Sequence, residues 1–288
     1  MSTVRRLLER ARDTLSANSD EPALEAQILL AHVLGRDRSW LYAWPEHIPD
    51  ARQIVAFELL LSQRMQGHPI GHLTGEREFW SLPLKITADT LIPRPETEHL
   101  VEIALQLDLP PDAHVLDLGT GSGAIALALA SERPAWHITA LDRSPAALDV
   151  ARANATRLGL NRLRLLHSNW FEALAGGERF DLILGNPPYV ARDDPHLRAG
   201  DLRFEPPQAL ISGTDGLDDI RLIIEAAQAH LEPGGWLWLE HGNDHGGRVT
   251  ELLRAAGYRQ VAVHRDLAGH ERQSGGCQSS TAAAPRSG

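Results

Sequence analysis

Apolar residues recur at helical spacing through the first quarter of the chain. Val4, Leu7, Leu8, Ala11 and Leu15 fall on one face. Leu24, Ile28, Leu29, Ala31 and Val33 repeat the pattern, with Pro22 suited to a first turn and Gly35 to a stop. Ile54 to Met65 repeats it again, and no strand-like alternation interrupts. Residues 1–75 therefore predict a small helical bundle. Gly67, Pro69, Gly71, Gly75, Pro83, Pro93 and Pro95 then punctuate the chain too densely for long helices. Glu78-Phe-Trp-Ser and Leu82-Pro-Leu-Lys-Ile read as two short strands, which makes 76–95 a β-hairpin linker. Pro95-Glu-Thr-Glu opens a helix with acids in its first turn and Leu100, Val101, Ala104 and Leu105 as its apolar face.

From His114 the period alternates. Strands are expected at 114–118, 137–142, 163–167, 180–184, 236–240 and 260–264. Helices are expected at 124–130, 145–158, 217–231 and 248–256. Strands alternating with helices over short connections imply an α/β fold with a doubly wound, mostly parallel sheet across 96–272. A ligand is expected at the carboxyl ends of its strands. Residues 273–288 are rich in Gly, Ser and Ala, have no periodicity and offer little to bury, so a disordered tail is expected there.

Composition narrows the classes. The 288 residues are 43% hydrophobic and 23% charged, an ordinary globular balance. The net charge of −10 argues against a protein whose main task is gripping a nucleic-acid backbone. Lys85 is the sole lysine, so arginine carries nearly all the positive charge. One cysteine, Cys277, excludes an internal disulfide framework and a Cys-rich zinc module. No run is long and apolar enough for a membrane span, and the N-terminus lacks an apolar signal core, so a cytoplasmic protein is expected.

Three constellations carry candidate chemistry. Asp117-Leu-Gly-Thr-Gly-Ser-Gly stands between a predicted strand and a predicted helix. Gly119, Gly121 and Gly123 allow a tight turn and close ligand approach, and Thr120 and Ser122 lie between them. The spacing G-x-G-x-G differs from the G-x-G-x-x-G of dinucleotide sites, and such turns also serve purely structural ends. Asp142 ends the next strand, where an acid can accept from ribose hydroxyls or cap the helix that follows. Asn186-Pro-Pro-Tyr follows an apolar strand. The Asn186 carbonyl and the Pro187 backbone carbonyl can together accept from one planar NH₂, with Pro188 stiffening the loop and Tyr189 able to stack behind the plane. Trp170 suits either a purine pocket or the core. The pairs His68/His72 and His241/His245 sit among helix breakers and do not form a metal motif.

In this order the glycine turn, Asp142 and Asn186-Pro-Pro-Tyr resemble class I S-adenosylmethionine-dependent methyltransferases that modify planar nitrogens. The flanking Leu73-Thr-Gly-Glu-Arg-Glu-Phe-Trp-Ser-Leu, Leu91-Ile-Pro-Arg-Pro-Glu-Thr-Glu, Arg203-Phe-Glu-Pro and Leu239-Glu-His-Gly are similar to the release-factor glutamine methyltransferases, the PrmC/HemK type. The resemblance implies a Rossmann-like sheet, S-adenosyl-L-methionine as cofactor, and methylation of the glutamine amide nitrogen in the Gly-Gly-Gln tripeptide of class-1 peptide chain release factors. It implies that Gly119 to Gly123 hold the methionine end, Asp142 the ribose and Trp170 the adenine side. Asn186 and Pro187 would bind the glutamine NH₂ with Tyr189 nearby, and the helical N-terminal domain would help grip the release factor. No direct nucleic acid, membrane or metal partner is implied.

Two positions depart from the family pattern. Asn169 stands where an Asp is common, and an Asn carbonyl can still accept from an adenine amine. After Glu271-Arg272 the family's closing V-T-L-G-R strand is replaced by Gln273-Ser-Gly-Gly-Cys, so the last strand is expected to be missing or frayed. Two other readings compete. An adenine-N6 nucleic-acid methyltransferase also meets a planar NH₂, but it must extract a base and hold phosphates, against which the acidic balance counts. A non-catalytic binding module that lost turnover is the other.

Overall fold

The computed structural model describes residues 2–198, 200–266 and 268–279. The chain divides into two compact units, Met1–Glu76 with Arg198–Phe204, and Arg77–Leu197 with Glu205–Gly288.

The first unit is helical. Helices α1 (Val4–Leu15), α2 (Pro22–Leu34), α3 (Arg38–Ala43), α4 (Ala51–Met65) and α5 (Ile70–Thr74) follow in order. The starts of α1, α3 and α4 are set by side chains that satisfy unpaired first-turn N–H groups. Asp50 and Gln53 form a reciprocal capping box on α4, and Asp37 accepts from the Trp40 N–H on α3. Gly35 closes α2 in the left-handed conformation. Val4, Leu7, Leu29, Leu30, Leu41, Phe57 and Leu61 are buried together. The segment 198–204, expected from the sequence to lie in the sheet domain, clusters with this bundle instead. The reason is a partly buried cation. Arg64 makes two 2.8 Å bonds to Glu25 and one of 2.8 Å to Asp201, while Phe204 lies with its ring 4.2 Å from that of His68.

The second unit opens with a hairpin, β1 (Glu76–Phe79) and β2 (Leu82–Lys85), followed by a 3-10 turn at Pro95–Thr97 and α6 (Glu98–Gln106). The hairpin is not a linker. Phe79, Leu84, Ile86 and Ile92 are buried in the same cluster as Leu100 and Val115. Its two-residue turn puts Trp80 and Ser81 at positive φ, 53° and 58°. Residues with a Cβ resist that conformation. Here Glu98 accepts from the Trp80 backbone N–H at 2.7 Å and Glu132 from its indole at 2.8 Å, which holds the turn.

The sheet elements are β3 (His114–Leu118), α7 (Ala124–Glu132), β4 (His137–Asp142), α8 (Pro145–Leu158), β5 (Arg164–His167), β6 (Phe180–Gly185), α9 (Asp218–Ala227), β7 (Leu231–Glu240), α10 (Gly246–Ala255), β8 (Arg259–Arg265) and β9 (Glu271–Cys277). The strand order is β5-β4-β3-β6-β7-β9-β8, parallel except for β9, which runs antiparallel to both neighbours. Alternate residues feed opposite faces. Val115, Leu182 and Leu184 pack with α6 and α7, whereas Leu116, Leu118 and Ile183 pack with α9 and α10. The helix expected to reach Leu231 stops at Ala227, and β7 starts at Leu231.

The disordered tail expected over 273–288 is corrected at its start, because Glu271–Cys277 is an inner strand between β7 and β8. Its backbone registers Trp236↔Cys277, Trp238↔Gly275 and Glu240↔Gln273 on one side and Ala262↔Gly275 on the other. Composition misleads here because the apolar volume comes from the neighbours. A Cβ on Gly275 would stand 2.2 Å from Trp238 Cδ2, and one on Gly276 would stand 2.9 Å from Tyr258 Cβ. Small residues are what the aromatic rings leave room for, and main-chain ladder bonds hold the strand regardless of side chain. Residues 280–288 of that expectation lie outside the described residues.

Candidate active site

The ends of β3, β4 and β6 meet at a cleft of about 940 Å³, its open mouth included. It opens where the strand order reverses, between β4-β3 and β6, as ligand sites in open α/β sheets do.

Its floor is the turn from β3 into α7. Gly119, Gly121 and Gly123 all have positive φ, at 70°, 56° and 88°. Gly123 is also sterically fixed, since a Cβ would meet Leu127 Cδ1 at 2.9 Å and Ala151 Cβ at 3.3 Å. Asp117 below the turn is buried, accepts from the Thr120 hydroxyl at 2.6 Å, and has its carboxyl pushed up to about 7 by burial. Asn154 on α8 braces the turn from behind. Its carbonyl accepts from Lys85 N at 2.7 Å, and its amide donates to Lys85 O at 3.1 Å and Ser122 O at 2.9 Å.

Asp142 stands beside the turn. Oδ2 accepts from Gly121 N at 2.9 Å and Oδ1 from Ser144 N at 2.8 Å. Burial raises its pKa, and those two backbone donors partly oppose the rise. Each oxygen keeps lone-pair capacity for a ligand hydroxyl. The helix cap itself is Ser144, whose hydroxyl accepts from Ala147 N at 3.2 Å, so Asp142 is free of that task.

Trp170 forms a wall against the glycine turn, its indole 3.6 Å from where a Cβ on Gly119 would lie. The backbone of Trp170 is held at φ 49°, and its indole donates to Asp219 at 3.1 Å. Asn169 also lines the cleft, and its amide donates to Glu172 at 2.8 Å. The opposite wall comes from Leu91 and Pro93 on one loop and Pro206 on another. Glu205, buried, joins these loops by accepting from Arg94 and, at 3.1 Å, from Ile92 N.

Asn186 and Pro188 reach the cleft from the end of β6. Asn186 Nδ2 donates to Thr97 Oγ1 at 3.1 Å, and Asn186 Oδ1 is buried without a protein partner. Thr97 donates in turn to Glu240 Oε2 at 2.7 Å, and Tyr189 donates to Glu240 Oε1 at 3.3 Å. Glu240 is fully buried, and burial lifts its carboxyl to about 7 against the pull of those two hydroxyls. Burial also raises the Tyr189 phenol far above its ordinary value, so it is a fixed donor. Of the residues singled out in the sequence, Gly119 to Ser122, Asp142, Trp170, Asn186 and Pro188 share the cleft wall. Gly123, Pro187 and Tyr189 do not line it. Tyr189 packs against the core on the α9 side and turns its hydroxyl to Glu240 rather than into the cleft.

Sequence reasoning assigned no role to Thr97, Asn154, Glu205 or Glu240. Thr97 lies in the first turn of an expected helix and Glu240 at the end of an expected apolar strand, and a polar residue at such a place is the one usable signal. Asn154 gave no signal beyond a polar residue on a mainly apolar helix face.

A nucleoside bearing an amino-acid tail fits this donor and acceptor set. The carboxylate at the end of β4 suits hydroxyls, the Cβ-free turn admits close approach, and the indole flanks a planar ring. A doubly wound sheet with a cleft at this place is an arrangement shared by the Rossmann-like methyltransferases. A methyltransferase from Pyrococcus furiosus superposes with a TM-score of 0.52 at 20% identity, over 69% of this chain and 89% of that one, which establishes the fold. The PrmC N-terminal domain family matches residues 6–75 and the methyltransferase small domain family residues 97–205. A Vibrio cholerae protein named release factor glutamine methyltransferase is 49% identical over 271 residues, 94% of this chain and 95% of its own. A Xylella fastidiosa protein of the same name is 53% identical over 250 residues, 86% of this chain and 90% of its own. The chain belongs to the release factor glutamine methyltransferase family.

Proposed function

We propose that the chain transfers the methyl group of S-adenosylmethionine to the side-chain amide nitrogen of the glutamine in the Gly-Gly-Gln tripeptide of class-1 peptide chain release factors, in the cytoplasm. The observation that carries the reading is Asn186 Oδ1, a buried acceptor with no protein partner, on a residue that lines the cleft. A buried carbonyl left unpaired costs about 1–3 kcal/mol, so its use is to receive an N–H from a bound group. The named relatives support the choice of an amide in a release factor over other planar amines.

When bound, S-adenosylmethionine supplies an electrophilic methyl on a sulfonium. Gly119, Gly121 and Ser122 would hold its amino-acid end, Asp142 its ribose hydroxyls, and Trp170 with Asn169 its base. The amide nitrogen is a poor nucleophile because its lone pair is delocalised. Asn186 would offer a carbonyl to one of its hydrogens, and the resemblance assigns the other to the Pro187 backbone carbonyl. Positive charge builds on that nitrogen in the transition state, so acceptors on its hydrogens grow stronger as transfer proceeds. Their fixed positions also remove orientational freedom.

The chain's net charge of −10 disfavours an adenine in nucleic acid as the target. Incubation with labelled cofactor and purified release factor, followed by mass mapping, tests the reading. Label on the Gly-Gly-Gln glutamine is expected; label only on DNA or RNA, or none, overturns it.

A further inference from the structure

We propose that Thr97 and Glu240 are positioning residues that lock the Asn186 side-chain amide in the one orientation able to receive a substrate N–H. This rests on the reading of Asn186 as the amide acceptor and adds the cause of its orientation.

The argument is one of donors and acceptors. Burial lifts the Glu240 carboxyl to about 7, so above that pH it is ionised and can only accept. Two hydroxyls face it, one on each oxygen, from Thr97 at 2.7 Å and Tyr189 at 3.3 Å. With its proton given to Glu240, Thr97 Oγ1 presents only lone pairs to Asn186, 3.1 Å away. If the Asn186 amide were turned over, its oxygen would face those lone pairs and its NH₂ would face the incoming NH₂ of the substrate. Both contacts would be repulsive. Donating NH₂ to Thr97 avoids both and leaves Oδ1, buried and without a protein partner, on a residue that lines the cleft. The direction of the chain is set at its far end by Glu240 at the end of β7, which accepts from both hydroxyls and, once ionised, has no proton to give back.

The platform is stiff. Thr97 ends the 3-10 turn Pro95–Thr97, and Gln273 on β9 donates to Glu96 O in that turn at 2.9 Å. The carboxylate is also within the field of Arg272 on the same strand and of Glu96 on the turn, which act on it with opposite sign. The inner strand that composition hides thus steadies the residue that aims Asn186.

The test compares Thr97→Val, Thr97→Ser and Glu240→Gln with the unsubstituted chain, using purified release factor, calorimetric cofactor binding and thermal melting. Valine keeps the shape of Thr97 and removes its oxygen. Glutamine keeps the shape of Glu240 and can offer N–H to Thr97, which releases the Thr97 proton toward Asn186. For Thr97→Val, kcat is expected to fall by about 10- to 100-fold. The KM for release factor and the cofactor Kd should stay within about threefold of the original. Thr97→Ser should regain most of the lost kcat, and Glu240→Gln should lower kcat with the same KM pattern. Unchanged kcat in Thr97→Val overturns the proposal. So does a loss that serine does not restore, or one matched by weaker cofactor binding. If Thr97→Val does not fold, Glu240→Gln decides by the same criteria. An unsubstituted chain that leaves the glutamine unmethylated overturns the functional reading itself, and that result is distinct from a defect confined to the variants.

Discussion

Gly275 on β9 lies flat against Trp238 on β7, so close that a Cβ would come within 2.2 Å of the indole Cδ2 and 2.5 Å of the Leu237 carbonyl. Both residues are inside a sheet, paired across an antiparallel register. One of those obstacles is backbone and cannot swing aside. Gly275→Ala is therefore expected to destabilise the fold by about 1–3 kcal/mol or more, as overpacking of a close-packed interior does. Urea denaturation checks it. A disordered segment would tolerate the alanine with no change in midpoint.

Asn186→Ala removes the buried acceptor while leaving the glycine turn and Asp142 intact. Turnover is expected to fall by about 10²-fold or more, on the scale of losing one oriented polar contact to the transition state. Cofactor affinity, read by calorimetry, should be largely retained. Turnover near the original rate would remove Asn186 from the reaction.

Asp142→Ala should weaken cofactor binding by about 1.5–3 kcal/mol, the range for hydrogen bonds to a charged group. Ser144 caps α8, so the helix start should survive the change. An affinity unchanged by calorimetry would leave Asp142 as a brace for Gly121 and Ser144 alone.

Asn154→Ala leaves the Lys85 N–H, the Lys85 carbonyl and the Ser122 carbonyl without their side-chain partner. Each unmade buried bond costs about 1–3 kcal/mol, so a loss of several kcal/mol is an upper bound and about 2–3 the expectation once water reaches the β2 edge. Thermal melting measures this, and a melting temperature within a degree or so of the original would show that the brace contributes little.

Glu240 sets a pH dependence whose sign follows from its raised pKa. Between the ordinary carboxyl range and about 7 the folded chain binds a proton that the unfolded chain has lost. Stability from this group is therefore greatest at low pH, falls as pH rises to about 7, and levels off above it. Asp117, also raised to about 7, acts in the same direction. Glu240→Gln cannot ionise, so its stability relative to the original should improve from about pH 5 to about pH 7 and then hold. A difference that is flat with pH would mean that Glu240 does not carry the shift.

Much of the fold is legible in the sequence because local rules and tertiary packing agree there. Pro145 to Leu158 has a Ser-Pro start and a Gly159 stop, and α8 occupies that range. His114–Leu118 and His137–Asp142 read directly as strands for the same reason. Agreement ends where structure is supplied from outside the segment. Nothing in Gln273-Ser-Gly-Gly-Cys favours a strand, and the Trp238 ring, the Tyr258 side chain and two ladders of backbone bonds create one. Cys277 shares that fate and is a buried thiol with a raised pKa, not a tail residue. At the site, the glycine turn, Asp142 and Asn186 stand out because their spacing follows strand ends. Thr97 and Glu240 are separated from Asn186 by 89 and 54 positions, and no local pattern links them.

The central claim is that this cleft delivers a methyl group to a glutamine amide held by Asn186. The most direct measurement is transfer from labelled S-adenosylmethionine to purified class-1 release factor, with the modified residue located by fragment mass mapping. The account predicts a single added methyl on the side-chain nitrogen of the Gly-Gly-Gln glutamine, and its loss when that glutamine is replaced. Methyl transfer to another residue, transfer to nucleic acid in its place, or cofactor binding without transfer would contradict it.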